Sequence, residues 1–127
     1  MEVTIHPERG AEDLPLELRA LVARLGTGYA MTPGGSAANA VLGATKLGLR
    51  TTFLGKIGGD VTARDYRANF TAAGGDGSRF KHTAVPNGRC LSLVTPDGQR
   101  TMRTHLGAAM TLSPDEVTTA DFAGAGG

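Results

Sequence analysis

The sequence predicts an α/β fold, in which helices cover a sheet and an antiparallel hairpin follows. A run of small residues after Ser36 predicts a helix with Ser36 as its cap, extending to about Leu47. The stretch 50–58, "RTTFLGKIG", mixes β-branched and apolar residues, which predicts a strand buried on both faces. Asp60 is placed to cap a second helix, so residues 36–75 alternate helix, strand and helix.

The helix after Asp60 carries an apolar face and ends at a glycine pair. Tyr66, Phe70 and Ala73 are expected on that face, and "GG" at 74–75 is expected to end the helix. Phe70 is therefore predicted to be a core residue rather than a platform for a ligand.

Two more elements are predicted near the start of the chain. Residues 2–5, "EVTI", have the composition of a short strand. Asp13 is placed to cap a helix whose apolar residues recur at helical spacing, and Gly26 is placed to end it.

The second half of the chain predicts an antiparallel hairpin over residues 90–106. The segments "RCLSLVT" and "RTMRTHL" flank "PDGQ", which has proline and glycine where a tight turn needs them. Leu91 and Leu93 share one face of the first strand. Met102 and Leu106 are expected to meet them across the pair.

A helix start and an irregular tail are predicted after the hairpin. Ser113 and Glu116 have the spacing of a capping box, with Pro114 at the first helical position. The tail 122–127, "FAGAGG", has no periodicity and is expected to fray.

Composition argues against several classes of function. Net charge is +1 and the basic residues are scattered, which argues against nucleic-acid binding. No apolar run has the roughly 18 residues of a membrane span, and no secretory signal is seen at the start. Cys90 is the only cysteine, which fits a reducing, cytoplasmic environment.

No catalytic residue and no metal site can be assigned from side-chain spacing. His6, His82 and His105 are far apart and lack the spacing of metal ligands. Cys90 is expected to be a buried, unreactive thiol because no base or cation is identifiable beside it. Arg100 and Arg103 differ in strand parity and are expected to be solvated.

The sequence "GGSAAN" at 34–39 offers a candidate binding site. Gly34 and Gly35 allow close approach to the backbone, and a helix start provides free amides. Asn39 adds a side chain that both donates and accepts hydrogen bonds, as a polyol or phosphate ligand requires. A tight turn with close helix packing would explain the same residues without a ligand.

The order of these residues resembles a signature of the PfkB (ribokinase-like) carbohydrate and nucleoside kinases. Its glycine pair and asparagine match Gly34, Gly35 and Asn39, while Val41 departs from the small or hydroxylated residue that the pattern prefers. The segment "GKIGGD" and residues 88–117, "GRCLSLVTPDGQRTMRTHLGAAMTLSPDEV", are similar to later family segments, closest to bacterial adenosine-kinase-like members. The resemblance covers roughly residues 30–117.

The resemblance implies a partial ribokinase-like kinase domain over residues 1–127. Gly34, Gly35 and Asn39 would contact hydroxyls of a sugar or nucleoside, and the hairpin 90–106 would form part of a β lid. A complete family enzyme would use ATP and Mg²⁺ to phosphorylate a primary hydroxyl. The family's GAGD anion hole and its ATP motifs are not found in this sequence, and "GAGG" at 124–127 lacks the aspartate. This chain alone is therefore expected to bind no cofactor and to transfer no phosphate.

Two alternatives to a kinase portion are open. The chain could be a non-catalytic binding or oligomerisation module that pairs lid strands into a homodimer, since exposed strands can add to a sheet. It could also be a degenerate kinase remnant without a stable fold. Adenosine, ribose and hexose substrates are not distinguished by the site residues.

Overall fold

The computed structural model describes residues 16–25 and 31–126 of the chain. The predicted strand 2–5, the cap at Asp13 and the stop at Gly26 lie outside these residues. The described part contains three α-helices, four strands and three 3₁₀ turns. In chain order these are α1 (Leu16–Leu25), α2 (Ser36–Lys46), β1 (Lys56–Ile57), α3 (Val61–Ala72), β2 (Lys81–His82), β3 (Arg89–Val94), β4 (Arg100–His105) and the turns Gly107–Thr111, Pro114–Glu116 and Thr119–Phe122.

The main core lies where α2 and α3 pack against a parallel pair of strands. β1 pairs with β2, with Lys56 opposite Lys81 and Ile57 opposite His82. Buried members of this core are Ala38, Ile57, Ala63, Phe70 and Phe80. Phe70 is 1% exposed, and its ring centroid lies 5.4 Å from that of Phe80. The predicted order of helix, strand and helix over 36–75 is confirmed.

The strand predicted over 50–58 is shorter than expected. Only Lys56–Ile57 forms a ladder, and an isolated bridge joins Thr52 to Asp76. The chain between them is irregular, and Phe53 is only half-buried although it packs against the core. A ladder needs a partner at each position, and β2 offers only two residues to pair.

The end of α3 follows the predicted glycine pair, with one correction. Asp60 caps the helix, since its carboxylate accepts a hydrogen bond from the Ala63 N–H. Gly74 has a φ of +92°, and the Gly75 N–H donates to the Phe70 carbonyl at 3.0 Å, which closes the last turn. The helix ends at Ala72, so Ala73 is an exposed cap residue and not part of the apolar face.

The hairpin forms where it was predicted, but its faces differ from the prediction. Leu91 pairs with Arg103 and Leu93 with Thr101, whereas Met102 pairs with Ser92. Because side chains alternate along a strand, Met102 lies on the face opposite to Leu91 and Leu93. Met102 is half-exposed, and Leu106 lies beyond the end of β4, so the predicted contact was wrong.

Helix α1 covers the leucine face of the hairpin. Val22 forms a small buried cluster with Cys90 and Leu91, and partly buried leucines pack around it. The helix thus supplies the apolar partner that Met102 and Leu106 were expected to provide. The packing leucines are Leu18, Leu21 and Leu93.

The segment after the hairpin is a series of 3₁₀ turns rather than a helix and a fraying tail. The predicted capping box is present, because the Glu116 carboxylate accepts from the Ser113 N–H at 3.0 Å. The turn that it begins ends after three residues. Thr119–Phe122 forms a further turn, and the Ala123 carbonyl accepts from Arg79 at 3.0 Å. The prediction that the tail frays was therefore wrong for Phe122 and Ala123.

Within residues 16–25 and 31–126, no helix combines the length and apolar character needed to cross a bilayer.

Candidate functional site

The candidate site begins at an open helix N-terminus. Gly35 occupies the N-cap position of α2 with φ 111° and ψ 121°, a conformation that side chains disfavour. Its carbonyl accepts the first helical hydrogen bond, from the Asn39 N–H at 2.9 Å. Ser36 is therefore already the first helical residue, and the prediction that Ser36 caps the helix was wrong.

The N-cap residue of α2, Gly35, has no side chain with which to cap the first-turn amides. Among the residues that the structure describes, no side chain forms a hydrogen bond to this helix start, in contrast to Asp60 at the start of α3. Ser36, Ala37 and Gly35 are exposed and Gly34 is half-buried. A Cβ built on Gly35 would meet only the Ala38 Cβ, at 3.9 Å. The backbone around Gly35 is thus accessible, and its amides provide donors with a partial positive charge.

Asn39 lies on the outer face of the same first turn. The neighbouring Ala38 is 3% exposed in the core, and Val41 and Leu42 pack beside it. This packing holds α2 by one face and leaves the Asn39 side chain exposed. In the described part of the chain, no hydrogen bond involves the Asn39 side-chain amide. The predicted trio of Gly34, Gly35 and Asn39 is therefore brought together within one turn, with its polar groups facing outward.

A second polar cluster joins the hairpin to α3. The Asp60 carboxylate accepts from the Ala63 N–H at 3.1 Å and from the Asn87 N–H at 3.2 Å. It also forms an ion pair with Arg89, at 2.9 Å between Nη2 and Oδ2. The cap role of Asp60 was predicted, but its partners Asn87 and Arg89 were missed. Nothing in the local spacing links residues about thirty positions apart, so this pairing needed the fold.

Two lysines hold the C-terminal turns on the parallel strands. Lys56 Nζ lies 2.6 Å from Glu116 Oε1, and Lys81 Nζ lies 2.8 Å from Asp121 Oδ1. The hydrogen bond from Lys81, followed by that from the Thr118 N–H, lowers the pKa of Asp121 to about 2. The corresponding bond from Lys56 lowers the pKa of Glu116. Both carboxylates are engaged within the protein and are not candidates for catalysis.

The chain matches a known protein family over most of its length. Residues 11–125 match the family described as "pfkB family carbohydrate kinase". The chain belongs to the PfkB family.

Individual PfkB relatives include both sugar and nucleoside kinases. A ribokinase of Staphylococcus aureus (strain COL) is 34% identical over 88 residues, which are 68% of this chain and 29% of that protein. The crystal structure of adenosine kinase from Sinorhizobium meliloti matches with a TM-score of 0.70 at 27% identity. That match covers 87% of this chain and 34% of the adenosine kinase.

A third relative supports the same fold. A probable sugar kinase from Rhizobium etli CFN 42 matches with a TM-score of 0.68 at 31% identity, covering 85% of this chain and 33% of that protein. The chain therefore spans about a third of the length of these PfkB relatives. The predicted fold class, a partial ribokinase-like α/β fold with an antiparallel hairpin, is confirmed.

The other reactive side chains that the structure describes do not assemble into a site. Cys90 is buried as predicted, and its sulfur accepts from the Thr104 hydroxyl at 3.2 Å. His82 and His105 are exposed, and His6 lies outside the described residues. Across residues 16–25 and 31–126, no three His, Cys, Asp or Glu side chains are grouped to hold a metal.

Proposed function

We propose that this chain is the sugar- or nucleoside-binding portion of an ATP-dependent PfkB kinase. The complete enzyme would transfer the γ-phosphoryl group of ATP to a primary hydroxyl of adenosine or a sugar. Membership of the family supports this assignment, as do the ribokinase and adenosine kinase among its relatives. The observation that carries the proposal is the uncapped start of α2, with Asn39 exposed beside Gly35.

The proposed site would recognise hydroxyl groups by backbone and side chain together. A sugar hydroxyl both donates and accepts, and the Asn39 amide offers one group of each kind. Gly34 and Gly35 carry no Cβ, so a sugar ring could lie directly against the backbone. The free amides of the first turn would add donors for an oxygen of the ligand. None of these features distinguishes adenosine from ribose or a hexose.

ATP and Mg²⁺ would be bound by other parts of a complete enzyme. Among the residues that the structure describes, no three His, Cys, Asp or Glu side chains are grouped to hold a metal ion. We expect residues 1–127 alone to leave adenosine and ribose unphosphorylated when ATP and Mg²⁺ are supplied.

The hairpin 90–106 would serve as part of a lid over the bound sugar. A closing lid excludes water, so that the activated hydroxyl and not water receives the phosphoryl group. Its strand β4 is exposed at all six residues. This exposure favours a second candidate function, a non-catalytic module that forms homodimers by pairing lid strands.

Isothermal titration calorimetry with adenosine, ribose and fructose tests the binding proposal. We expect at least one of them to bind, and Asn39→Ala to weaken its affinity by about tenfold or more, since one or two hydrogen bonds are lost. Asn69→Ala is the matched control, because Asn69 is an exposed asparagine on α3. A folded, dimeric chain that binds none of the three would instead support the oligomerisation module.

A further inference from the structure

The root of the hairpin, where residues 86–89 enter β3 and residues 106–108 leave β4, is attached to the first turn of α3 by a buried ion pair. Arg89, the first residue of β3, places Nη2 2.9 Å from Asp60 Oδ2 and 2.7 Å from Thr62 Oγ1. The side chains of Arg89 and Asp60 are only 8% and 10% exposed. Charge-assisted hydrogen bonds at this degree of burial are strong and directional. They restrict the angle between the strand and the helix more than apolar contact would.

Asn87 adds a second attachment at the same place. Its side chain is buried, and Oδ1 accepts from the Gly58 N–H at 3.2 Å. Its own N–H donates to Asp60 Oδ1 at 3.2 Å. The Asp60 carboxylate therefore accepts hydrogen bonds from one helix N–H, one loop N–H and one guanidinium. Since the same carboxylate caps α3, the position of the hairpin root is tied to the helix.

Both strands of the hairpin pass through this root. A Cβ on Gly88 would lie 2.5 Å from the Leu106 carbonyl oxygen, and one on Gly107 would lie 2.4 Å from the Pro86 carbonyl oxygen. The Ala108 N–H donates to that Pro86 carbonyl at 2.8 Å. The chain entering β3 is thus stacked directly on the chain leaving β4. The root is a single joint of closely packed backbone.

We propose that Asp60 and Arg89 are positioning residues whose ion pair sets the orientation of the hairpin relative to α3. The hairpin moves as one body, because β3 and β4 share six paired positions and one joint. Breaking the pair leaves the two strands joined but frees their angle to α3. This joint is a property of the chain itself. Only its role in setting the closed position of a lid rests on the proposed kinase function.

Distance measurement by electron paramagnetic resonance tests the joint without any substrate. Nitroxide labels are attached at Asn69→Cys on α3 and Arg100→Cys on β4, both exposed positions, with Cys90 replaced by alanine. We expect one narrow distance distribution in the parent chain. Arg89→Gln should widen the distribution at least about twofold, because the hairpin then samples several orientations. Arg89→Lys keeps the positive charge and should restore most of the narrow distribution.

Asp60→Asn provides an independent variant that keeps the helix cap. Its side-chain oxygen can still accept from the Ala63 N–H, while the charge that holds Arg89 is gone. We expect widening with unchanged helix content by circular dichroism, and Asp60→Asn decides the test if Arg89→Gln does not fold. A distribution that stays narrow in the folded variants would overturn the proposal. Failure of sugar binding in calorimetry would leave this distance result unaffected, so the two proposals are tested separately.

Discussion

Lys56 and Lys81 are paired residues on adjacent parallel strands, and each forms an ion pair with the acidic residue of a different turn. Glu116 and Asp121, their partners, each also complete a capping box, because Glu116 accepts a hydrogen bond from the Ser113 N–H and Asp121 accepts one from the Thr118 N–H. These two capping boxes follow one another along the chain, and the two lysines lie side by side on the sheet. This arrangement holds the C-terminal turns on the strands, although the turns themselves are short.

The contact between Lys81 and Asp121 predicts a loss of stability in acid. The Asp121 pKa falls from its ordinary value of 3.8 to about 2 in the folded chain. A depressed folded pKa gives stability that is present above the unfolded pKa and lost as pH falls. We expect the turn 119–122 to detach progressively between about pH 4 and about pH 2. Nuclear magnetic resonance of the Asp121 carboxyl against pH measures this titration.

Lys81→Met provides the matched comparison for that titration. Removing the lysine should move the Asp121 pKa back toward 3.8 and release the turn at a higher pH. The Asp97 pKa is also lowered, by hydrogen bonds from Thr95 and Gln99 in the hairpin turn, so Asp97 should titrate as before. An unchanged Asp121 titration in Lys81→Met would show that the lysine does not cause the shift.

Phe70→Ala should be among the most destabilising single changes in the described core. The ring is 1% exposed and lies within 6.4 Å, centroid to centroid, of three other aromatic rings. Loss of a buried phenylalanine costs about 3–5 kcal/mol in the free energy of unfolding. Urea denaturation measures the change. Phe122→Ala, at a side chain 59% exposed, should stay within about 0.5 kcal/mol, and equal losses would contradict this picture of the core.

Two glycine-to-alanine substitutions should change the free energy of unfolding in opposite directions. In Gly88→Ala the new Cβ would lie 2.5 Å from the Leu106 carbonyl, and neither backbone can move without disturbing the hairpin root. In Gly43→Ala the new Cβ on α2 meets nothing within 4 Å. We expect Gly43→Ala to stabilise the chain by about 0.5–1 kcal/mol through helix propensity, and Gly88→Ala to destabilise it. Thermal unfolding of both variants gives the comparison, and destabilisation by Gly43→Ala would be inconsistent with the open space seen beside it.

Ser36 and Asp60 begin neighbouring helices but should differ in their effect on stability. Ser36→Ala removes a residue that is not the N-cap of α2, so the free energy of unfolding should change by less than about 0.5 kcal/mol. Asp60→Ala removes a true cap, which is worth about 0.5–2 kcal/mol, and also leaves Arg89 buried without its carboxylate. Denaturant titration of both variants measures these changes in the free energy of unfolding. A loss of about 1 kcal/mol or more in Ser36→Ala would show that Ser36 does cap the helix.

Local sequence signals predicted the helices, the capping residue Asp60 and the hairpin turn. Each of these signals comes from residues that are close together in the sequence, such as Asp60 and Ala63. The resemblance to PfkB kinases also rested on such short segments. The candidate site Gly34, Gly35 and Asn39 also rests on such a segment, and its role in binding stays a prediction.

The errors concern features set by partners distant in sequence. Strand β1 was predicted too long because the length of its partner β2 could not be seen. Met102 was placed beside Leu91 because strand register depends on how the turn closes. The tail was expected to fray because Arg79 and Lys81, some forty residues earlier, hold its turns through Ala123 and Asp121.

The register of the hairpin has a consequence for how its connecting turn can vary. The Thr95 N–H donates to the Gln99 carbonyl, and Gly98 takes a φ of +82°, which together fix where β4 begins. One extra residue between Thr95 and Gln99 would shift β4 by one position and exchange its two sides. Met102 would then turn toward α1, and Arg103 would take its place on the other side. Related chains should therefore change this loop by two residues or leave its length alone.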